Sequence, residues 1–132
     1  MPIRHLDHFT LRCGPEELEA LRRFYVDVLG LVDGVRADFD FPGHWLYAGS
    51  RAVVHLAANA APGAGTPHPS ATGRLDHVAF FTSELAVFRE RLRRHGIAFR
   101  EAPVPGMPLH QVFLNDPTGL DIELTFGTAD EP

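Results

Sequence analysis

The sequence contains no lysine: all 12 basic residues are arginine, in a chain of 132 residues. No side-chain amine is therefore present to form a Schiff base or to act as the base of a Ser–Lys pair. Its one cysteine, Cys13, excludes an intrachain disulfide and any CxxC metal or redox motif. No apolar run approaches the ~20 residues of a membrane span, and the N-terminal residues have no signal-peptide pattern. These absences predict a soluble, cytoplasmic protein without a membrane partner.

The charge pattern gives no sign of nucleic-acid binding. The net charge is −5, and the arginines are scattered rather than clustered, whereas a nucleic-acid-binding domain carries a basic patch. The length is that of one ordinary domain, which can bury its own core. We therefore expect one domain, residues 1–132, with a small molecule as its partner.

Two short patterns occur twice in the chain. Residues 6–9 (LDHF) return as 75–78 (LDHV), and residues 53–56 (VVHL) return as 121–124 (DIEL), at offsets of 69 and 68 residues. Self-similarity at a fixed period is typical of a duplicated structural unit. The repeat places His8, His55, His77 and Glu123 at equivalent positions.

Each half of the chain has the pattern of the same series of elements. Alternating polarity predicts strands, and apolar residues at helical spacing after Gly14-Pro15 and after Ser83 predict amphipathic helices that end at Gly30 and Gly96. The expected strands span 6–13, 35–39, 44–48 and 52–58 in the first half and 75–82, 97–101, 109–115 and 120–126 in the second. The sequence thus predicts an α+β fold of two tandem βαβββ modules, about 3–58 and 74–127, joined by a linker at 59–73.

The four repeated polar side chains are expected on the sheet faces opposite the helices. Each is flanked along its strand by apolar residues, and alternation places neighbouring side chains on opposite faces. If the apolar neighbours pack under the helices, two curved mixed sheets enclose a cavity into which the polar side chains point. Taken singly, a histidine on a strand is usually a partly buried, hydrogen-bonded residue, and a glutamate near the end of a strand is usually exposed to solvent.

Together the four side chains predict a divalent metal site, because buried imidazoles and a carboxylate are costly unless a metal binds them. The donor set suits Fe(II), Mn(II), Ni(II), Co(II) or Zn(II) better than Ca(II) or Mg(II). Two histidines and one carboxylate are also the ligands of non-haem Fe(II) oxygenases.

Longer motifs resemble the vicinal oxygen chelate superfamily, which includes glyoxalase I, extradiol catechol dioxygenases, methylmalonyl-CoA epimerase and the fosfomycin and bleomycin resistance proteins. The motifs are residues 6–8, 24–31, 75–80 and 113–124, and the resemblance covers about 3–127. It implies that His8, His77 and Glu123 are the metal ligands, that Fe(II) or Mn(II) is favoured, and that the protein is a homodimer. In some members the site is completed across the subunit interface, and the sequence leaves this open.

His55 distinguishes three hypotheses for function. Its position carries an acidic ligand in glyoxalase I, an amide in the epimerase and a non-ligand acid/base histidine in ring-cleaving dioxygenases, so the resemblance is strongest to the dioxygenases. The alternative is a glyoxalase-like lyase or isomerase, with His55 as fourth ligand and Glu123 as base. A non-catalytic antibiotic-binding protein is the third hypothesis. Phe113 departs from the dioxygenases, which carry tyrosine there.

Further residues are candidates for contact with the substrate. Aromatic side chains at 45, 47 and 81 can line a pocket for an aromatic molecule, although aromatics more often serve as core. Arg12 shares the face of His8 and can hold an anion. The complete set of substrate-binding candidates is Arg12, Trp45, Tyr47, Phe81, His110 and Phe113.

Overall fold

The computed structural model describes residues 4–59, 75 and 77–128. The chain divides into two compact units, Met1–Thr66 and Pro67–Pro132. Apart from Asn59, the linker expected at 59–73 lies outside the described residues. No helix in the described part of the chain is long and apolar enough to cross a membrane.

The first unit contains a four-stranded mixed sheet. Its strands are β1 (Phe9–Arg12), β2 (Val32–Gly34), β3 (Gly43–Ala48) and β4 (Arg51–Ala57). Their order in the sheet is β1-β4-β3-β2, with β1 parallel to β4 and the other pairs antiparallel. The expected strands at 6–13, 44–48 and 52–58 are confirmed with shifted ends.

The helix of the first unit changes its winding along its length. A 3₁₀ turn at Pro15–Glu17 leads into α1 (Leu18–Arg23), which continues as a π-helix at Phe24–Val28. The wider π turn allows the adjacent Phe24 and Tyr25 both to be buried, with their rings edge to face at 5.2 Å. The helix ends at Gly30 as the sequence predicts, with φ 88°.

The prediction of a strand at 35–39 is wrong, because β2 precedes this segment and ends at Gly34. The ring of Tyr47 lies 2.8 Å from the position that a Cβ at Gly34 would occupy. The Tyr47 hydroxyl donates a hydrogen bond to the Val35 carbonyl. Beyond this point Phe39 and Phe41 stack on each other. Residues 35–41 therefore make side-chain contacts in place of the backbone hydrogen bonds of a β-strand.

The second unit repeats the topology. Its strands are β5 (His77–Thr82), β6 (Arg100–Pro103), β7 (Leu109–Asn115) and β8 (Asp121–Gly127). The sheet order is β5-β8-β7-β6, with β5 parallel to β8. Its helix α2 (Leu85–Arg94) ends at Gly96, where the Ile97 amide donates to the Leu92 carbonyl. Because this bond extends the helix end to Ile97, the strand expected at 97–101 begins later, at Arg100. Two βαβββ modules are thus confirmed.

The core of each unit lies on one face of its sheet. In β4, Val54 and Leu56 are buried while His55 between them is partly exposed. In β8, Ile122 and Leu124 are buried while Glu123 is partly exposed. The alternation expected from the sequence therefore holds, and it leaves the polar faces available for a site.

Candidate functional site

A stack of three rings forms the centre of the polar face in the first unit. The rings of His8 and His55 are parallel, with centroids 3.8 Å apart, and Trp45 stacks on the other side of His55 at 4.1 Å. Strand register produces the stack, because His55 pairs with Thr10 on one side and with Trp45 on the other. Residues directly opposite in neighbouring strands share a face.

Hydrogen bonds fix the orientation of both histidines. Nδ1 of His8 lies 2.8 Å from a carboxylate oxygen of Asp7, and Nε2 of His55 lies 3.0 Å from the Ala52 carbonyl. Since a carbonyl oxygen accepts, His55 donates from Nε2 and its lone pair is on Nδ1. Burial lowers the pKa of His55, and the neighbouring His8 lowers it further.

A cavity of about 710 Å³ opens over this face of the first unit. Five residues expected at a site line it: His8, Arg12, Trp45, Tyr47 and His55. Arg12 also donates hydrogen bonds to the side chain and backbone of Asn59. Sequence reasoning therefore identified part of the polar and aromatic lining of this cavity.

Sequence reasoning missed Arg36, Phe39 and Arg51, which also line the cavity. Two of them lie in the segment that was expected to be a strand. The signal that was available is the placement of Arg36 close to Phe39 and Phe41, because arginine stacks well on aromatic rings.

The second unit brings His77 and Glu123 together. Nε2 of His77 is 3.6 Å from Oε1 of Glu123, and the amide of Gln111 donates a 3.0 Å hydrogen bond to Oε2. All three side chains lie on the face opposite the core, since Glu123 pairs with Ala79 in β5 and with Phe113 in β7. Gln111 thus holds one carboxylate oxygen and leaves the other directed towards His77.

The turn before β8 positions Glu123. Asp116 is buried, and its Oδ1 accepts hydrogen bonds from the Thr118 amide and hydroxyl and from the Leu120 amide. Gly119 has φ 91°, a conformation that favours glycine. This is the turn that the sequence predicts at 115–119.

A cleft of about 340 Å³ in the second unit is lined by His77, Glu123 and Phe113. Arg100, which also lines it, lies over the Phe113 ring at 4.1 Å. Phe81 is on the same face of β5 as His77 and is 74% exposed.

His110 lies on the opposite face of its sheet from Glu123. It pairs with the buried Phe126, and its Nε2 is 2.7 Å from Oε1 of Glu101. Arg89 of α2 binds the same carboxylate, and this contact is the main reason that the pKa of Glu101 falls to about 2. His110 therefore connects the sheet to its helix and does not join His77 and Glu123.

Among the residues with described positions, no three His, Cys, Asp or Glu side chains form a group that could hold a metal ion. The parts of a donor set are nevertheless present. Two donors bound at about 2.1 Å to one ion lie about 3.0–3.6 Å apart at angles of 90–120°, and His77 and Glu123 have this spacing. His8 carries the carboxylate partner on Nδ1 that metal-binding histidines commonly have.

Solved structures share this fold. A glyoxalase family protein described as putative, from Bacillus anthracis, is 21% identical with a TM-score of 0.73, covering 95% of this chain and 96% of the other. A variant of the fosfomycin resistance protein FosX from Listeria monocytogenes, complexed with Mn(II) and 1S,2S-dihydroxypropylphosphonic acid, is 16% identical with a TM-score of 0.70, covering 96% and 94%.

TnmS3, an antibiotic-binding protein from Streptomyces sp. CB03234, is 18% identical with a TM-score of 0.64, covering 96% of this chain and 98% of the other. A search of the curated proteins found no match. The family model of the Glyoxalase/Bleomycin resistance protein/Dioxygenase superfamily matches residues 5–124. This match covers both units and all four repeated polar positions, and the chain belongs to that superfamily.

Proposed function

We propose that the protein is a metal-dependent enzyme of the extradiol-dioxygenase type. In this proposal His8, His77 and Glu123 bind Fe(II) or Mn(II), and His55 is an acid/base that does not bind the metal. The substrate is a small molecule with two neighbouring oxygen atoms. The observation that carries the proposal is the parallel stacking of His8 and His55.

Parallel stacking argues against a shared metal ion for these two rings. An imidazole binds a metal along a lone pair that lies in the plane of the ring, at about 2.0–2.1 Å. The two ring planes differ by only 9° and the ring centroids are 3.8 Å apart. An ion in the plane of His8 would lie well out of the plane of His55. The arrangement therefore supports three protein ligands rather than four.

The donor chemistry fits a divalent transition metal, which would supply Lewis acidity to the substrate oxygens. Nδ1 of His8 donates its hydrogen to the Asp7 carboxylate. The lone pair of the ring is then on Nε2, which is the nitrogen available to bind a metal. Gln111 similarly restrains the carboxylate of Glu123. Both contacts reduce the reorganisation needed for a metal to bind.

His55 has the geometry of a proton carrier. Its Nε2 is engaged with the Ala52 carbonyl, and the stack between His8 and Trp45 restricts rotation of the ring. Nδ1 is then the atom that accepts a proton from a substrate hydroxyl and returns it later. A base held in one orientation transfers protons efficiently because its position needs no adjustment.

A non-catalytic binder is the second candidate, and a glyoxalase-like lyase or isomerase is the third. The large aromatic cavity of the first unit favours the binder, and the neighbour TnmS3 is described as an antibiotic-binding protein. The glyoxalase-like alternative would require His55 to leave its stack and its bond to Ala52 in order to become a fourth ligand.

The direct test measures metal content and turnover together. The chain is loaded anaerobically with Fe(II) or Mn(II), and bound metal is measured for the parent and for His8→Ala, His77→Ala and Glu123→Ala. Each substitution should lower metal affinity by at least about tenfold. His95→Ala, which changes an exposed histidine at the end of α2, is the matched control and should bind like the parent.

Turnover distinguishes the three candidates. The loaded protein should consume oxygen with catechols and show no activity on a methylglyoxal–glutathione hemithioacetal with Ni(II), Co(II) or Zn(II). Activity only on the hemithioacetal would refute the dioxygenase proposal, and binding of both substrate types without turnover would support the binder. Unchanged metal content in all three ligand variants would show that the site assignment is wrong.

A further inference from the structure

The cavity of the first unit carries an excess of positive charge. Three arginines line it, Arg12, Arg36 and Arg51, and the one lining carboxylate is Asp7, which is bound to His8. Among the described residues, no carboxylate lies within ion-pair distance of these three arginines. This concentration of positive charge occurs in a chain whose net charge is −5, so it is a local feature of the cavity.

Arg36 is built into the cavity wall. Its guanidinium lies 5.1 Å from the ring centroids of both Phe39 and Phe41, and its Nη2 donates a 2.8 Å hydrogen bond to the Phe41 carbonyl. A Cβ at Gly43 would lie 2.9 Å from Nη2 and 2.2 Å from the Leu56 carbonyl oxygen. Position 43 must therefore be glycine for the strand pair and Arg36 to approach this closely.

The charge of Arg36 is incompletely satisfied by the protein. Its Nε is buried and has no hydrogen-bond partner among the described residues. A buried donor without an acceptor costs free energy, more so when it belongs to a charged group. A nearby anion would offset this cost through its charge, and the remaining guanidinium nitrogens can bind it in the forked geometry that suits a carboxylate.

Flat aromatic surfaces make up another part of the wall. The indole of Trp45 stacks on His55, the rings of Phe39 and Phe41 are parallel, and Trp45 lies 6.4 Å from Phe39. Aromatic walls favour a planar ring over an aliphatic chain of similar size, because stacked rings gain energy beyond the area that they bury. The cavity therefore combines a surface for a ring with a site for an anion.

We infer that this cavity binds a small aromatic carboxylate, with its ring against the aromatic wall and its carboxylate at Arg36 and Arg12, which both lie at the Ala57 end of β4. The inference names the substrate class of the proposed enzyme and rests on that proposal in taking this cavity as the substrate pocket. It predicts that an acidic catechol is a better ligand than catechol itself.

The fluorescence of Trp45 can report binding, because it is the only tryptophan in the chain and lies in the cavity wall. Metal-free protein at low salt is titrated with 3,4-dihydroxybenzoate, benzoate, catechol and acetate. The two aromatic carboxylates should change the fluorescence saturably, with affinity about tenfold or more above those of catechol and acetate. Equal affinity for catechol and 3,4-dihydroxybenzoate, or saturation by none of the four, would overturn the inference.

Arginine variants test the anion site. Arg36→Gln should weaken 3,4-dihydroxybenzoate binding about tenfold and reduce its preference over catechol, whereas Arg36→Lys should retain part of the preference. Arg12→Gln, at the same end of the cavity, provides the same test if Arg36→Gln does not fold. Arg94→Gln, at the exposed end of α2, is the matched control and should match the parent. Parental discrimination in both glutamine variants would contradict the assignment.

Failure of the inference can be distinguished from failure of the proposed function. Metal content of the ligand variants tests the function without reference to the anion, and Trp45 fluorescence in metal-free protein tests the anion site without reference to the metal. If the protein binds the aromatic carboxylates saturably, and His77→Ala and Glu123→Ala both keep the parental metal content, the inference is upheld and the proposed ligands are refuted.

Discussion

At the scale of the residue, His55 shows that the alternation of apolar and polar residues predicts the sheet face of a side chain but not its contacts. The apolar neighbours Val54 and Leu56 predict the face on which His55 lies, and the structure bears this out. The stacking partners are not encoded locally, because His8 immediately precedes β1 and Trp45 lies in β3, and both strands pair with β4. The choice between ligand and base therefore depends on long-range pairing that no window of sequence contains.

Substitution of His55 separates the two roles. As a base outside the metal sphere, His55→Ala should leave metal affinity within about twofold and lower kcat by about 10²–10⁴-fold. As a fourth ligand, its loss should weaken metal binding by tenfold or more. The measurements are metal titration and steady-state kinetics on the same samples. Trp45→Phe, which keeps a ring in the stack, should retain both properties, so a loss of metal in that variant would point to indirect unfolding.

Arg36 illustrates the opposite case, a residue that sequence reasoning overlooked. Its segment was expected to be a strand because residues of turn composition, 40–43, separate it from the next strand candidate, and the observed structure is set by stacking with Phe39 and Phe41. Tertiary contacts outweighed local propensity there. Side-chain packing across the first unit, rather than the local sequence, decides which arginine enters the cavity.

At the scale of the element, helix α2 is fastened to its sheet by a polar cluster. Glu101 of β6 accepts hydrogen bonds from Arg89 of α2 and contacts His110 of β7. The sequence predicted α2 from the spacing of Leu85, Phe88 and Leu92, and two of these are buried. It did not predict the cluster, because its members are 9 and 12 residues apart in sequence.

The cluster predicts a pH dependence of stability. Arg89, and then His110, hold the pKa of Glu101 at about 2, below its usual value of 4.5. A depressed carboxyl pKa stabilises the fold above pH 4.5, and this contribution is lost as the pH falls towards 2. Glu101→Gln should therefore remove part of the acid dependence. At neutral pH it should cost on the order of 1–2 kcal/mol, since Arg89 is partly exposed.

Urea unfolding between pH 2 and pH 7 measures this contribution, and Glu19→Gln is the matched control. Glu19 pairs with Arg22 on the surface of α1 and is largely exposed, so its removal should change stability little. If the two variants lost stability equally, or if Glu101→Gln kept the acid dependence of the parent, the cluster would have no role in fastening α2.

At the scale of the whole molecule, the duplication in the sequence predicts the duplicated topology, because strand order depends on the series of elements. β1-β4-β3-β2 and β5-β8-β7-β6 are the same arrangement. The repeat does not predict chemical equivalence: one unit contains a ring stack and a large cavity, and the other contains a histidine–carboxylate pair. Divergence at positions 55 and 123 contributes to the difference, because a ring at one can stack and a carboxylate at the other can pair with a histidine.

A homodimer is what the sequence resemblance implies, and in some proteins of the superfamily the site is completed across the subunit interface. On that basis we predict a metal site that draws His8 from one copy and His77 with Glu123 from the other.

Mixing two inactive variants tests this prediction. His8→Ala and Glu123→Ala are each metal-deficient alone if both residues are ligands. After unfolding and refolding together in equal amounts, half of random dimers contain one copy of each, and in a shared-site dimer one of the two sites has all its ligands. The mixture should then recover about one quarter of the parental metal content and turnover. If each site is formed within one chain, every site in the mixture lacks a ligand and no recovery occurs.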